Sequence, residues 1–310
     1  MSSAETPTLA EAIAANVKPG DSVYITGFTH LIGFAAAHEI IRQGIRDLTL
    51  IRLTPDLVYD QMVAAGCARK LVFSYLGNPG VGSLNAIRRA IERGEIEWEE
   101  YTHGSLIAAL RAGAQGAPFA PVPAVAGTDL PRHNPAIATV RSPFDGTEVP
   151  VVAPLRPDVA IVHAQRADAQ GRVQVWGSVG DIPEAARAAR RVIVTAEEIV
   201  DEEALRADPN RTLLLGRGVE AVVHVPYGAH PSYAQGLYGR DNRFYRQWAE
   251  ISADPDDLDS YLEEQVRSIG GWDAHVERER ERLNELSKVG ESVPNAVNFG
   301  DNAAIAAVQE

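Results

Sequence analysis

One short segment places an ionisable side chain where chemistry could occur. In EEYTHGSL, residues 99–106, His103 stands beside Gly104 and Ser105, between a strand-like run and the helical pattern LIAALRAG. A histidine in this position can exchange a proton near neutral pH. It can equally be the residue at which the helix starts. This segment alone leaves both interpretations open.

A second segment could bind an anion through its backbone. TGFTHLIGF, residues 26–34, follows a strand pattern and precedes a helix pattern, and it contains Gly27, Phe28, Thr29 and His30. Backbone N–H groups at such a junction can bind an anion or an oxyanion. A tight turn that needs only Gly27 is the alternative. The segment does not have the G-x-G-x-x-G spacing of dinucleotide binding.

A third segment is rich in glycine. SYLGNPGVGS, residues 74–83, contains Gly77, Asn78, Gly80 and Gly82 between a strand pattern and a helix pattern. Glycines there allow a ligand to approach the backbone, or they form a turn without a ligand. The segment lacks the Lys-Ser/Thr pair of a phosphate-binding loop, which argues against nucleotide hydrolysis.

Other catalytic patterns are missing from the sequence. The eight histidines fit no helical zinc motif, and Cys67 has no second cysteine to form a CxxC pair. We expect Cys67 to pack late in a helix. No G-x-S-x-G nucleophile elbow is present, so acyl chemistry would lack an obvious serine nucleophile. Glu197 and Glu198 are expected to follow a strand and to have a structural or subunit-contact role.

The segments above connect elements that alternate between strand and helix. This alternation predicts an open, mostly parallel α/β sheet with helices on both faces, and a ligand site at the carboxyl ends of the strands. Residues 117–157 are proline-rich and are expected to form an irregular excursion with short strands. We predict an α/β domain over residues 1–253 and a C-terminal helical extension with a loose tail over residues 254–310.

Composition narrows the choice of partners. The chain has 310 residues, with 29 basic and 42 acidic side chains and a net charge of −13. Nucleic acid and anionic membrane bind basic surfaces, so neither is an expected partner. A single cysteine, no signal-peptide pattern and no apolar stretch of membrane-spanning length predict a cytoplasmic protein.

The order of these segments resembles the α subunit of the family I coenzyme A (CoA) transferases, in the glutaconate CoA-transferase branch. The resemblance runs from about residue 8 to 250 and is carried by ITGFTHLIGFAAAHEIIRQGIRDLTLIR, CARKLVFSYLGNPGVGS, EWEEYTHGSLIAALRAGAQGAPFAPV and LRPDVAIVHAQRADAQGRVQVWG. It implies a CoA thioester as substrate with no permanently bound cofactor, and a carboxylic acid as acceptor. It also implies a β subunit, in a heterodimer or an α2β2 assembly, that supplies a nucleophilic glutamate.

The resemblance places His103 where ketoacid transferases have a glutamine that faces the acyl group. His103 would then be the catalytic residue, and the three glycine-containing segments would bind the substrate. It could orient a thioester carbonyl in CoA transfer, which we favour. It could also move a proton in CoA-thioester or carbon–carbon bond hydrolysis on the same scaffold. A non-catalytic ligand-binding subunit is the third hypothesis.

Overall fold

A mostly parallel β-sheet forms the centre of the protein, as the alternation of patterns predicts. The computed structural model describes residues 6–77 and 82–292. Asn78 and Gly80 lie outside these residues. The described strands, in chain order, are β1 (Ser22–Ile25), β2 (Leu48–Ile51), β3 (Ala68–Phe73), β4 (Glu97–Glu100), β5 (Ala120–Pro121), β6 (Ile137–Arg141), β7 (Glu148–Val152), β8 (Val159–Ala167), β9 (Arg172–Gln174), β10 (Arg191–Ile199), β11 (Thr212–Leu215) and β12 (Val219–His224).

Seven of the described strands are parallel. They lie in the order β4, β3, β2, β1, β8, β10, β12. The end of β8 also pairs antiparallel with β9, which pairs antiparallel with β11. Eight of the nine residues in β8 are buried, as expected for a strand covered on both faces. The carboxyl ends of β1 to β4 therefore meet along one edge of the sheet.

Helices cover both faces of the sheet. The described helices are α1 (Leu9–Asn16), α2 (Phe34–Arg42), α3 (Asp56–Ala64), α4 (Asn85–Glu92), α5 (His103–Gln115), α6 (Leu130–His133), α7 (Ile182–Ala188), α8 (Glu202–Ala207), α9 (Asn242–Ile251), α10 (Pro255–Leu262), α11 (Trp272–Arg278) and α12 (Arg280–Ser292). Helices α1 to α4 contribute to one apolar core, and α5 and α7 to another. This arrangement confirms the predicted fold class.

The proline-rich excursion is partly regular. Strands β5, β7 and β6 form a separate three-stranded antiparallel sheet in that order. It is connected to α5, where the Leu155 N–H donates to the Ala109 carbonyl at 2.9 Å. Pairing between distant short strands leaves little local sequence signal, which is why the sequence predicts the short strands but not their sheet.

The C-terminal helices pack into the same cores as the sheet. Leu262 of α10 and Trp272 of α11 join the core formed by α1 to α4, and Leu283 and Leu286 of α12 join the core beside β8 and β10. The predicted division at residue 253 stays a prediction. Within the described residues, no helix is both long and apolar enough to cross a bilayer.

Candidate active site

The β1–α2 loop has a backbone that requires glycine at its first turn. Gly27 has φ +104°, and a Cβ atom there would lie 2.5 Å from the His30 carbonyl oxygen and 2.6 Å from that of Leu31. Thr29 and Leu31 also adopt positive φ angles, of 58° and 54°. This conformation is unfavourable for a non-glycine residue, so the surrounding structure must hold the loop in place.

Arg52, directly after β2, binds the backbone carbonyls at the start of this loop. Its buried guanidinium donates to the carbonyls of Ile25 at 2.8 Å and Thr26 at 3.2 Å, and to that of Gly27 at 2.5 Å. Its Nε–H donates to the Thr54 carbonyl at 2.6 Å. A planar cation with five fixed donors can bind these four carbonyls at once, whereas a lysine has only three donors. The end of β1 and the β2–α3 loop are thereby tied together.

His30 lies beneath the loop and not at its exposed surface. Its side chain is fully buried, and Nδ1 donates to the Ser178 carbonyl at 3.0 Å. Nε2 accepts from the backbone N–H of Gln235 at 3.0 Å. Burial lowers the pKa of His30 from 6.5 to about 4, so the imidazole is neutral at pH 7. His30 therefore fixes the loop from inside the protein.

Phe28 and His103 meet at the open side of the loop. Phe28 is 36% exposed, and its ring lies edge-on to the His103 ring with centroids 6.1 Å apart. A Cβ at Gly180 would lie 2.7 Å from the Phe28 Cβ, so the chain behind Phe28 is closely packed. The structure thus brings together two predicted site residues that are 75 positions apart in the chain.

His103 is the first residue of α5, and Thr102 is its cap. The Thr102 hydroxyl accepts from the Ser105 N–H at 3.0 Å, and the Ser105 hydroxyl accepts from the Thr102 N–H at 2.9 Å. This is a capping box. His103 is thus the first helical residue, as the helix-start interpretation predicts, whereas the capping role belongs to Thr102. Ser105 is buried within the capping box, whereas Gly104 is exposed beside His103.

Ser74 fixes one nitrogen of His103. Its Oγ lies 2.9 Å from His103 Nδ1 and 2.8 Å from the Leu53 carbonyl oxygen. A carbonyl only accepts, so the single Ser74 hydroxyl hydrogen points to Leu53. Nδ1 of His103 must then carry a hydrogen and donate it to Ser74. In the neutral ring Nε2 is left as an acceptor, and in the imidazolium it becomes a second donor.

The sequence interpretation missed Ser74 and Arg52. The pairing of β3 with β4 sets Phe73 opposite Glu100, which brings Ser74 beside the start of α5. The position of both residues directly after a predicted strand was the signal that could have identified them, since Arg52 follows β2 and Ser74 follows β3. Gly77 lies close to the Tyr75 hydroxyl, with 3.1 Å between that oxygen and a Cβ built on Gly77.

The positions of Glu197 and Cys67 differ from those that the sequence predicts. Glu197 lies within β10 and not after it, and it is buried against His163 at 2.7 Å. Cys67 is buried in the turn before β3, beyond the end of α3 at Ala64, so its predicted helical place is wrong although its packing role fits. In the part of the chain that the structure describes, no group of three or more His, Cys, Asp or Glu residues could hold a metal ion.

These features define an α/β protein with a candidate ligand site at the carboxyl ends of its parallel strands. A model of the family described as coenzyme A transferase matches residues 6–224. In Pseudomonas knackmussii, the A subunit of 3-oxoadipate CoA-transferase is 51% identical over 267 residues, covering 85% of this chain and 94% of the relative. The A subunit of glutaconate CoA-transferase from Acidaminococcus fermentans is 34% identical, covering 87% and 90%.

A solved structure supports the same assignment. The crystal structure of glutaconate CoA-transferase from Acidaminococcus fermentans matches with a TM-score of 0.87 and 33% identity, covering 90% of this chain and 94% of the solved chain. The chain therefore belongs to the coenzyme A transferase family, as an α-type subunit of an enzyme that transfers CoA.

Proposed function

We propose that this chain forms one half of a two-subunit CoA transferase that moves CoA from an acyl-CoA to a carboxylic acid. The observation that carries this proposal is the composition of the site formed by Phe28, Ser74 and His103, which we call the open site. Phe28, Ser74 and His103 meet there, and the ring contact and side-chain hydrogen bonds that join them to other described residues involve no carboxylate. The relatives named above are A subunits. A β subunit that supplies the glutamate nucleophile accounts for the missing group.

In this proposal the partner's glutamate carboxylate attacks the thioester carbonyl. The C–S bond breaks, CoA leaves as a thiolate, and an acyl–glutamyl anhydride forms. The thiolate then attacks the glutamyl carbonyl, which releases the first carboxylate and leaves a glutamyl-CoA thioester. The acceptor carboxylate repeats the two steps in reverse. No net proton is gained or lost, so the chain needs to supply only orientation and charge stabilisation.

His103 is placed to supply that stabilisation. Its Nδ1–H is held by Ser74, so only Nε2 is available to a ligand. As an imidazolium, Nε2–H donates to the oxyanion that develops on the attacked carbonyl. Phe28 provides an apolar wall beside it and limits the access of water. We therefore assign His103 to carbonyl orientation and Phe28 to substrate binding.

A hydrolase is the second candidate, because the contact with Ser74 leaves Nε2 of His103 available to act on a water. The neutral His103 presents Nε2 as an acceptor, which is the form that a general base toward water requires. The water would lose its proton to Nε2 and attack the thioester or the carbon–carbon bond. The same contact with Ser74 serves either role, and the ring's protonation state separates them.

The experiment co-expresses the chain with a β-type subunit of the same family and incubates the purified complex with acyl-CoA. The transferase forms a glutamyl-CoA thioester, which borohydride reduces and hydroxylamine cleaves, and peptide mass spectrometry then finds the modified glutamate in the partner. Transfer of CoA to an added carboxylate must accompany it. Acyl-CoA loss without a trapped glutamate would establish hydrolysis, and no turnover of acyl-CoA would leave only a ligand-binding subunit.

A further inference from the structure

A second cavity lies away from the site described above. It has a volume of about 400 Å³ and lies between α2 and α3 on one side and α9 to α12 on the other. We call it the helical cavity. None of Phe28, Ser74 and His103 lines it. Its volume falls in the range of pockets that take small molecules, about 300–1,000 Å³.

The floor of the helical cavity consists of neutral, buried polar groups. His38 Nε2 lies 2.9 Å from Gln61 Oε1, which only accepts, so Nε2 carries the hydrogen. His38 Nδ1 is then an acceptor, and it has no partner among the described residues. Burial lowers the pKa of His38 to about 4, so the ring is neutral at pH 7. The floor therefore presents an unpaired acceptor, His38 Nδ1, together with an unpaired donor, Gln61 Nε2, among the described residues.

The same floor has further imidazole groups. His230 Nδ1 lies 3.2 Å from His275 Nε2, and Trp272 stacks on His275 with ring centroids 4.4 Å apart. Burial is the main cause that lowers the pKa of His275 to about 2. An imidazole this strongly neutral adds hydrogen-bonding capacity without adding charge.

The rim of the helical cavity is cationic. Arg243 and Arg278 are exposed there, while Arg282 is occupied by a bidentate pair with Asp241 at 2.9 and 3.0 Å. Arg278 donates to the Gln265 side chain at 2.6 Å, which keeps its positive charge at the rim. Glu279 also lines the cavity, so three arginines face two carboxylates, Asp241 and Glu279. In a chain with a net charge of −13, even this small local excess of positive charge favours an anionic ligand.

Apolar side chains form the wall between rim and floor. Phe244 and Ile251 of α9 and Tyr261 of α10 line it, and the rings of Phe244 and Tyr261 have centroids 6.0 Å apart. A flat apolar body fits against such a wall better than a charged or branched polar one. The cavity thus has a rim with exposed arginines, an apolar wall and a floor of neutral polar groups.

We propose that the helical cavity is a second binding site for a small carboxylic acid with a flat apolar body and a hydroxyl or N–H group at its far end. The carboxylate binds Arg243 at the rim, the apolar body packs on Phe244 and Tyr261, and the far-end donor faces His38. The site does not depend on the CoA-transferase chemistry, because its residues are distinct from those of the open site.

Isothermal titration of the full chain, alone and with its partner, tests the proposal with 4-hydroxybenzoate as the probe. Benzoate removes the far-end donor, and 4-hydroxybenzamide removes the charge. We expect 4-hydroxybenzoate to bind and each of the other two to bind about tenfold more weakly, as loss of one good polar contact predicts. No binding of 4-hydroxybenzoate at 10 mM, about the weakest affinity of interest, would overturn the proposal, and so would equal binding of all three probes.

Variants locate the bound probe. Arg243→Gln is expected to weaken 4-hydroxybenzoate binding about tenfold. Arg246→Gln is the matched control, since Arg246 is exposed on the same helix but does not line the cavity. Neither variant touches the core, so both should fold. A signal that His103→Ala or excess CoA removes, and that Arg243→Gln leaves intact, would assign the probe to the open site and refute the helical cavity as a binding site.

Discussion

Replacement of His103 by glutamine and by alanine separates the two roles of this residue. The structure gives Nε2 alone to the ligand, because Ser74 holds Nδ1. A glutamine can donate one hydrogen bond to a carbonyl but cannot move a proton. If His103 orients the carbonyl, we expect His103→Gln to keep kcat/KM within about tenfold of the native value, roughly 1.4 kcal/mol. His103→Ala, which removes an oxyanion donor, should lose about 10²-fold or more.

If His103 instead transfers a proton, the two variants should lose similar amounts of activity. Both variants would then lose about 10²–10⁴-fold, because neither side chain accepts a proton near neutral pH. The pH profile gives an independent sign. Donation from Nε2 requires the imidazolium, so orientation predicts that activity falls as pH rises. Action as a base requires the neutral ring and predicts that activity rises.

The assay measures CoA transfer by the assembled two-subunit complex, at saturating and limiting acyl-CoA. Thermal unfolding of each variant is the control. We expect the free energy of unfolding to change by less than about 0.5 kcal/mol, because His103 is exposed. Equal inactivation by glutamine and alanine would refute carbonyl orientation. A fully active His103→Ala complex would refute any catalytic role for the residue.

Three further predictions concern stability and are measured by chemical denaturation. Gly27→Ala should destabilise the fold by more than about 1 kcal/mol, because its Cβ would contact two carbonyls at a positive φ. Gly94→Ala is the control, because Gly94 has φ +67° and no atom within 4 Å of a Cβ built on it. An equal loss of stability in both variants would show that the positive φ alone causes the effect. Thr102→Ala should cost about 1 kcal/mol through loss of the α5 cap, and an unchanged midpoint would contradict the capping box. Below pH 6.5 the unfolded chain protonates His30 and His38, whereas the folded chain keeps them neutral down to about pH 4. The free energy of unfolding should therefore fall by about 3 kcal/mol for each histidine between pH 6.5 and pH 4. His38→Gln should make the free energy of unfolding less dependent on pH in this range, and an unchanged dependence would show that His38 does not titrate on unfolding.

Local patterns in the chain were sufficient for most elements of the fold. The apolar runs SVYI and LTLI became β1 and β2, and the amphipathic FAAAHEIIR became α2, because strand and helix periodicities are local properties. The strand TLLL and the pairing of β5 with β7 were not predicted. Both depend on contacts with distant segments, and such contacts override weak local preferences.

The candidate site shows the same division. The sequence by itself identified the loops and placed His103, Gly27 and Phe28 at strand ends. Only the tertiary structure showed that His30 turns inward, that Ser74 holds His103, and that Arg52 binds the loop carbonyls. Periodicity determines which segment is a strand, but the direction and partner of a loop side chain depend on the register between strands. That register is set by packing across the whole sheet.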